Sequence, residues 1–196
     1  MAFIDKTLLG QKVRLEPIEE RHLLGLSLAI EDGKLWQLMV TSVPHPDQLS
    51  TFLAQAQREL QGGLSQTYVI INPANEQVVG STRFLNTSWQ HARTEIGFTF
   101  IAKSSQRTAI NTAAKFLLLS HAFEDLGFNR VGFVTDYLNQ PSRTAILRLG
   151  AKQEGILRNH MVMTDGRIRD SVFFSVAIHE WPGIKKFLLE KLGGEV

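Results

Sequence analysis

The sequence predicts one domain, residues 1–196, of the mixed α/β (α+β) class, with a central mixed sheet and helices on both faces. First, β-branched and aromatic residues are concentrated in short runs bounded by turn residues, as in strands. Second, such runs precede and follow one long apolar helical segment, so helices packed on both faces of one sheet are the economical arrangement. Third, a length of 196 residues suits one domain, and the chain has no repeat or linker.

The first half of the chain contains four predicted strands and two predicted helices. The strands are expected at residues 12–18, 67–71, 78–85 and 91–101, and the helices at 19–30 and 48–61. Pro17 stops the first strand, Asp47 is the expected N-cap of the second helix, and Gly62-Gly63 ends that helix. Residues 36–46 contain two prolines and are expected to be irregular. The turn at 72–75 joins two strands into an antiparallel hairpin.

The second half continues with three predicted strands and three predicted helices. The strands are expected at 130–136, 154–164 and 167–178, and the helices at 108–126, 140–149 and 183–192. Asp165-Gly166, between the last two strands, is a strong hairpin signal. Within the strand at 91–101, we expect Ile96, Phe98 and Phe100 to face one side of the sheet.

Composition excludes several classes of protein and site. The chain has no cysteine, which excludes disulfides, cysteine nucleophiles and thiolate metal sites. No His/Asp/Glu cluster has the spacing of metal ligands, so we expect no metal. No stretch approaches the roughly 20 apolar residues of a membrane span, and residues 1–6 lack the pattern of a secretion signal. We therefore expect a cytoplasmic protein with no membrane partner. The net charge of +2 without a Lys/Arg run argues against a nucleic-acid partner.

Residues 94–139 are the most informative stretch. They read as a strand, a polar turn at 106–111, a long helix, a second strand, and a helix that starts at Asn139. Gly97, inside the first strand, indicates a bulge or the close approach of another backbone. The polar turn leads into a helix N-terminus, where free backbone N–H groups and the helix dipole can hold an anion.

This stretch resembles the acyl-CoA-binding core of the GNAT superfamily of N-acetyltransferases, in particular the branch with the N-terminal acetyltransferases of ribosomal proteins. The resemblance extends over residues 13–189 and is strongest over 94–175, and the segments 154–160, 165–172 and 180–182 are also similar to that branch. It implies a mostly antiparallel sheet that splays between the strand at 91–101 and the strand at 130–136. It also implies acetyl-CoA, or coenzyme A, as cosubstrate.

The resemblance implies a set of residues around coenzyme A. In the family, a turn with the pattern Gln/Arg-x-x-Gly-x-Gly/Ala holds the pyrophosphate; here Gln106 matches, whereas Ala109 and Asn111 replace the glycines. The implied cofactor-binding residues are Phe98, Thr99, Phe100, Ile101, Gln106, Arg107, Thr108, Ala109, Ile110, Asn111, Asn139 and Ser142. The alternatives are an ordinary core strand followed by a plain helix start, capped by Ser105 or Thr108.

Glu95 is the candidate general base. A carboxylate at the start of this strand can take the proton of an attacking amine directly or through water, and the resemblance favours a glutamate here. The alternative is a surface or ion-paired glutamate, and His91 is a second candidate base. His121, inside the long helix, is expected to be a core or surface residue.

The helix after Asn139 is where the resemblance implies an acid for the leaving thiolate. The tyrosine that many members carry is absent, since Ile146 takes its position. Ser142 is the implied substitute, with Tyr137 as an alternative. The ordinary roles of Asn139 and Ser142 would be those of an N-cap and a first-turn residue.

The predicted function is N-acetyl transfer from acetyl-CoA to a primary amine by direct attack in a ternary complex. The acceptor is open between a protein N-terminus, an amino acid, a polyamine and an antibiotic, and we expect residues 36–46 and the hairpin at 165–166 to border its pocket. The acyl group can also be larger, such as succinyl. Alternatives of other classes are a non-catalytic acyl-CoA-binding module and a structural interaction domain. Pairing of edge strands into a homodimer also stays open.

Overall fold

The fold is that of a computed structural model, which describes residues 2–194; residue 1 and residues 195–196 of the predicted domain lie outside the described residues. The strands are β1 (Leu8–Leu9), β2 (Arg14–Pro17), β3 (Gln66–Asn72), β4 (Gln77–Ser88), β5 (Arg93–Ile101), β6 (Arg130–Asp136), β7 (Lys152–Val162) and β8 (Ile168–Ala177). The helices are α1 (Leu23–Glu31), α2 (Leu49–Gln61), α3 (Ile110–Ser120), α4 (Gln140–Leu147) and α5 (Trp181–Lys191).

The eight strands form one sheet in the order β1-β2-β3-β4-β5-β6-β8-β7. Neighbouring strands are antiparallel except β5 and β6, which are parallel. A parallel pair requires a crossover connection, and the segment that contains α3 supplies it. The predicted mixed, mostly antiparallel sheet is therefore confirmed.

Helices cover both faces of this sheet. On one face, α3 and α5 pack against the strands through a core that includes Leu118, Leu188 and Phe133. On the other face, α1 and α2 pack against residues that include Val69 and Phe100. No helix within residues 2–194 is both long and apolar enough to cross a membrane.

The sheet opens between β5 and β6. The two strands pair only where Arg93–Glu95 lie beside Arg130–Gly132, and the pairing ends at Glu95 and Gly132. Within residues 2–194, no strand pairs with the edge of β5 that faces β6 from residue 96 to residue 101. The splay implied by the resemblance is therefore present, and it leaves a cleft lined on one side by free β5 backbone.

A β-bulge in β5 overturns one expectation about side-chain direction. Ser81 pairs with Phe100 and Arg83 with Gly97, so Thr82 alone lies opposite two residues of β5. The extra residue reverses the alternation: Ile96 packs on the α3 face, whereas Phe100 packs on the α1/α2 face. The prediction that both would face one side was wrong, because simple alternation does not allow for an inserted residue.

Two helix ends also differ from the prediction. Asp47 is not the N-cap of α2, because the chain already turns at residues 46–48, where the His45 ring accepts from the Asp47 N–H at 3.3 Å. The predicted helix at 108–126 ends as α-helix at Ser120 and continues through a π-helical turn, in which the Leu126 N–H donates to the His121 carbonyl at 3.0 Å. The short strand β1 was not predicted; it contains only two residues.

Candidate active site

The bulge places an unusual backbone conformation in the cleft. Phe98 has a φ of +45°, the left-handed region that bulky residues rarely adopt, and its side chain is about half exposed. Gly97 precedes it, as the glycine signal in the sequence indicated. Because the bulge lies beyond the last residues that pair with β6, its backbone groups on the cleft side have no strand to bond.

On the α3 face, Lys115 holds the bulge through two threonines. Its ammonium donates to Thr82 Oγ1 at 2.9 Å and to Thr99 Oγ1 at 2.6 Å, and the two hydroxyls are 2.8 Å apart. The lysine is buried, and among residues 2–194 no carboxylate pairs with it. Burial without a counter-charge lowers the pKa of Lys115 to about 7.

On the opposite face, Arg83 stacks on the bulge. Its guanidinium lies 4.8 Å from the centre of the Phe98 ring and 5.2 Å from that of Phe52 in α2. Its Nη1 also donates to Glu59 Oε2 of α2 at 2.9 Å. Arg83 is buried, and burial lowers its pKa below the ordinary value. The bulge is thus fixed by one cation on each face of the sheet.

The turn at 106–111 closes without glycine. Arg107 takes the left-handed conformation, with a φ of +62°. Ala109 has φ −69° and ψ −17°, an ordinary helical conformation that alanine adopts freely. Gln106 Nε2 donates to the Ile101 carbonyl at 2.8 Å, which ties the turn to the end of β5. Of the two cap candidates, Thr108 accepts from the Ile110 N–H through its Oγ1 at 3.3 Å, but the N-cap of α3 is Ala109, whose side chain makes no cap bond.

The turn also has the donors that an anion requires. The backbone N–H groups of Arg107, Thr108, Ala109 and Asn111 have no acceptor among the described residues. The side-chain Oδ1 of Asn111 is buried there, also without a partner in residues 2–194. The unbonded N–H groups lie at the positive end of α3, an arrangement that can hold an anion such as a diphosphate although two glycines are replaced; the Asn111 oxygen is an acceptor and does not contribute.

Glu95 lies where the cleft begins. It pairs in register with Gly132, and a Cβ on that glycine would lie 3.0 Å from the Glu95 Cγ, so glycine leaves room for the side chain. The Asn86 amide donates to Glu95 Oε2 at 3.2 Å. The half-buried carboxylate lines a cavity of about 150 Å³ and makes no ion pair within residues 2–194. Of the two alternatives, the ion-paired glutamate therefore has no support in the structure.

At the start of α4, the ordinary roles predicted for Asn139 and Ser142 are both present. Asn139 Oδ1 accepts from the Ser142 N–H at 3.1 Å, and its Nδ2 donates to the Val40 carbonyl at 3.4 Å. One Nδ2 hydrogen and the Ser142 hydroxyl have no partner among the described residues. Ile146 is buried in the core rather than exposed to the cleft. Tyr137 is 44% exposed and lies under the Arg143 guanidinium at 4.7 Å.

The two candidate histidines have other environments. His91 is exposed in the β4–β5 turn. His121 is buried, hydrogen-bonds Asp125 at 2.6 Å, and has its pKa lowered by burial. It is thus a core residue, as expected.

Arg167 joins the two segments expected to border an acceptor. Its Nη2 donates to Asp136 Oδ2 at 2.6 Å and to the Met39 carbonyl at 2.9 Å. The irregular segment and the β7–β8 hairpin therefore meet over the end of β6. Within residues 2–194 no group of three or more potential ligands could hold a metal ion.

Sequence reasoning missed Lys115, Thr82, Arg83 and the Arg167–Asp136 pair. One signal was available for the lysine: Lys115 is the single charge in the otherwise apolar run from 113 to 119. A charge within the apolar side of a helix indicates either snorkelling or a buried partner. The arginine contacts join segments far apart in the chain and carry no local signal.

Comparisons with known proteins agree with this architecture. Residues 12–152 match the family described as "Acetyltransferase (GNAT) domain". A GCN5-related N-acetyltransferase from Brucella melitensis has a TM-score of 0.84 and 29% identity, over 95% of this chain and 85% of that one. Mycobacterium smegmatis RimJ, solved in complex with CoA-disulfide, has a TM-score of 0.81 over 96% and 93% of the two chains; at 21% identity it supports the fold alone.

A curated relative is also an N-acetyltransferase by name. The Bacillus subtilis protein named "Putative ribosomal N-acetyltransferase YdaF" is 35% identical over 100 residues, which are 51% of this chain and 54% of that protein. The chain thus spans about half the length of that relative. The family match covers most of the chain and includes β5, the bulge, the turn and α3. The chain belongs to the GNAT acetyltransferase family.

Proposed function

We propose that this protein transfers an acetyl group from acetyl-CoA to a primary amine, which attacks directly in a ternary complex. The observation that carries the proposal is one cleft with free backbone donors at both ends. The turn at 106–111 has unbonded N–H groups, and β5 has an unpaired edge beyond Glu95. A ligand with an anionic head and an extended amide arm would satisfy both.

Each end of the cleft has a distinct role in this proposal. Acetyl-CoA, when bound, supplies a thioester that an amine can attack. The N–H groups from Arg107 to Asn111 hold the diphosphate at the positive end of α3. The free edge of β5 receives the pantetheine arm as an added strand. An N–H between Phe98 and Phe100 donates to the thioester carbonyl, where negative charge develops during attack.

Proton transfer is assigned to Glu95 and Ser142. Glu95 accepts the proton of the amine, directly or through a water in the adjoining cavity, and the Asn86 amide orients its carboxylate. The free hydroxyl of Ser142 protonates the leaving thiolate and regains a proton from water, which takes up the proton held by Glu95. Asn139 contacts the arm through its remaining Nδ2 hydrogen, since its oxygen is used to cap α4.

The proposed acceptor is the amine of a protein N-terminus or of a small molecule. We place it at the end of β6, where the Met39 segment and the β7–β8 hairpin meet, and the name of the ribosomal relative favours the protein acceptor. A larger acyl group such as succinyl remains the second candidate for transfer.

The buried Ile146 in place of a tyrosine favours a non-catalytic acyl-CoA module as the rival function. The cytoplasmic location and the homodimer stay predictions from the sequence.

The first experiment is thermal unfolding with and without coenzyme A or acetyl-CoA. A ligand at 100 times its dissociation constant stabilises the native state by about 2.7 kcal/mol, which raises the melting temperature clearly. Adenosine at the same concentration is the control and should leave the melt unchanged. No shift at millimolar coenzyme A would overturn both the enzyme and the acyl-CoA module.

The second experiment separates the enzyme from the non-catalytic module. Glu95→Gln should lower kcat by roughly 10²-fold or more, with acetyl-CoA affinity unchanged, because the amide cannot accept the proton. Thiol release is measured with acetyl-CoA and a panel of free-N-terminus peptides and small amines. His91→Gln is the matched control and should keep full activity. Equal rates for Glu95→Gln and wild type would remove Glu95 as the base.

A further inference from the structure

We propose that Lys115 is a positioning residue that couples the phosphate turn to the thioester end of the cleft by fixing the bulge at Phe98 and Thr99. The inference rests on the proposed function and adds a residue to the same site. It starts from the triangle of Lys115, Thr82 and Thr99, whose three polar atoms lie 2.6 to 2.9 Å apart.

The location of Lys115 in α3 gives it this role. α3 begins at Ile110, directly after the turn, and Lys115 lies less than two turns further along. Its ammonium reaches Thr99, which follows Phe98 in the bulge, and Thr99 Oγ1 also approaches the Gly97 carbonyl at 3.3 Å. One side chain therefore connects the helix that starts at the anion-binding turn with the residues on both sides of Phe98.

Stability alone does not account for a lysine at this position. Leu118, Leu119 and Ala114 of the same helix are fully buried apolar residues. A buried amine without a carboxylate partner is costly, and burial lowers its pKa to about 7. What the amine adds is a fixed distance between α3 and two strands, through hydrogen bonds that no apolar side chain makes.

The opposite face supports the same interpretation. Arg83 follows Thr82 in β4 and points to the other side of the sheet, where it stacks on the Phe98 ring and pairs with Glu59. With Arg83 against the ring and Lys115 against Thr99, the bulge cannot relax toward either face. The N–H groups proposed to receive the thioester carbonyl are held before any ligand arrives, which is the condition for efficient electrostatic stabilisation.

The test compares two ligands on the variant Lys115→Met. Acetyl-CoA uses both ends of the cleft, whereas 3′-phosphoadenosine 5′-diphosphate, which is coenzyme A without its pantetheine arm, uses only the turn. We expect the variant to bind the nucleotide within about twofold of wild type and acetyl-CoA roughly tenfold more weakly. The amide ¹H–¹⁵N signals of Phe98 and Thr99 should shift. Ser120→Ala, which removes a buried unpaired hydroxyl elsewhere on α3, should change neither affinity.

A second variant keeps the test valid if Lys115→Met does not fold. Thr99→Val preserves the shape of the side chain and removes the acceptor for the ammonium, so it should show the same selective loss. In the combined Lys115→Met/Thr99→Val protein, the loss should not exceed that of one variant, since the two groups act as a unit. Equal weakening of both ligands, or of neither, would overturn the inference. Failure of wild type to bind acetyl-CoA would instead overturn the proposed function, and the inference with it.

Discussion

At the bulge end of the cleft, two buried cations fix the backbone from opposite faces of the sheet, whereas at the turn end the backbone is fixed by its own conformation. Lys115 and Arg83 cannot be exchanged for ordinary core residues without releasing Thr99 or Phe98. The turn, by contrast, tolerates Ala109 and Asn111 where the family pattern has glycine, because Ala109 is in a helical conformation. The bulge thus depends on particular side chains, and the turn mainly on the path of the chain.

Gly80→Ala should have the largest effect on stability, because it disrupts the pairing of β4 with β5 next to the bulge. A Cβ on Gly80 would lie 2.1 Å from the Phe100 carbonyl oxygen, so β4 and β5 must separate next to the bulge. We expect a loss of roughly 3 kcal/mol or more in the free energy of unfolding, measured in urea. Gly183→Ala in α5 is the control, since open space surrounds it; that change should be neutral or slightly stabilising.

Lys115→Met should make stability less dependent on pH. The folded pKa is about 7, below the ordinary value of 10.5, so the unfolded chain holds the proton more tightly. Wild-type stability therefore rises as the pH increases from about 7 to about 10, and is lowest at pH 7 and below. The variant lacks this slope, so its stability relative to wild type should be greatest at pH 7 and below.

Urea unfolding at pH 7 and pH 9.5 measures that slope. Lys186→Met, at an exposed position of α5, is the matched control and should keep the wild-type slope. A slope in Lys115→Met equal to that of wild type would contradict the prediction. Together, the stability and ligand experiments should show that Lys115→Met is more stable than wild type but binds acetyl-CoA less well. Such a trade-off between stability and function is common at functional sites.

Arg83→Met should have an intermediate effect. It removes the stack on Phe98 and leaves the partly buried Glu59 carboxylate without its partner, for an expected loss of about 2 kcal/mol. Arg58→Met is the control, because Arg58 is next to Glu59 in α2 but exposed. Equal stability of the two variants would mean that the ion pair and the stack contribute nothing.

Ala109→Gly should have the smallest effect on stability. It tests whether the turn, unlike the bulge, is insensitive to the side chain that it carries. Because the position is helical, glycine should not improve the conformation, and it should cost under about 1 kcal/mol of stability. We expect the affinity for coenzyme A, measured by titration calorimetry, to change by less than about threefold. A tenfold gain would instead identify the alanine methyl as an obstacle to the diphosphate.

The sequence was sufficient for the order of the elements, because this order rests on local patterns, whereas the splay of the sheet was implied only by the family resemblance. It was also sufficient to place Glu95 at the start of the cleft strand. It was not sufficient for the opposite directions of Ile96 and Phe100, since a bulge inserts a residue that alternation cannot reveal. The contacts of Lys115 and Arg167 join segments more than 15 residues apart in the chain, and only folding brings these together.

The short parallel pairing of β5 with β6 has a geometric consequence. Only three residues of each strand are paired, and Glu95 and Gly132 are the last of them, so the carboxylate lies at the vertex of the opening. If one more residue of each strand were paired, the backbone edge at Ile96 would be closed and the open part of β5 would be shorter. If one fewer were paired, the point at which the strands separate would lie farther from Phe98. The number of paired residues therefore fixes how far the Glu95 carboxylate lies from the bulge at Phe98. Through their main-chain pairing, residues 93–95 thus set the distance between the proposed base, Glu95, and the bulge at Phe98.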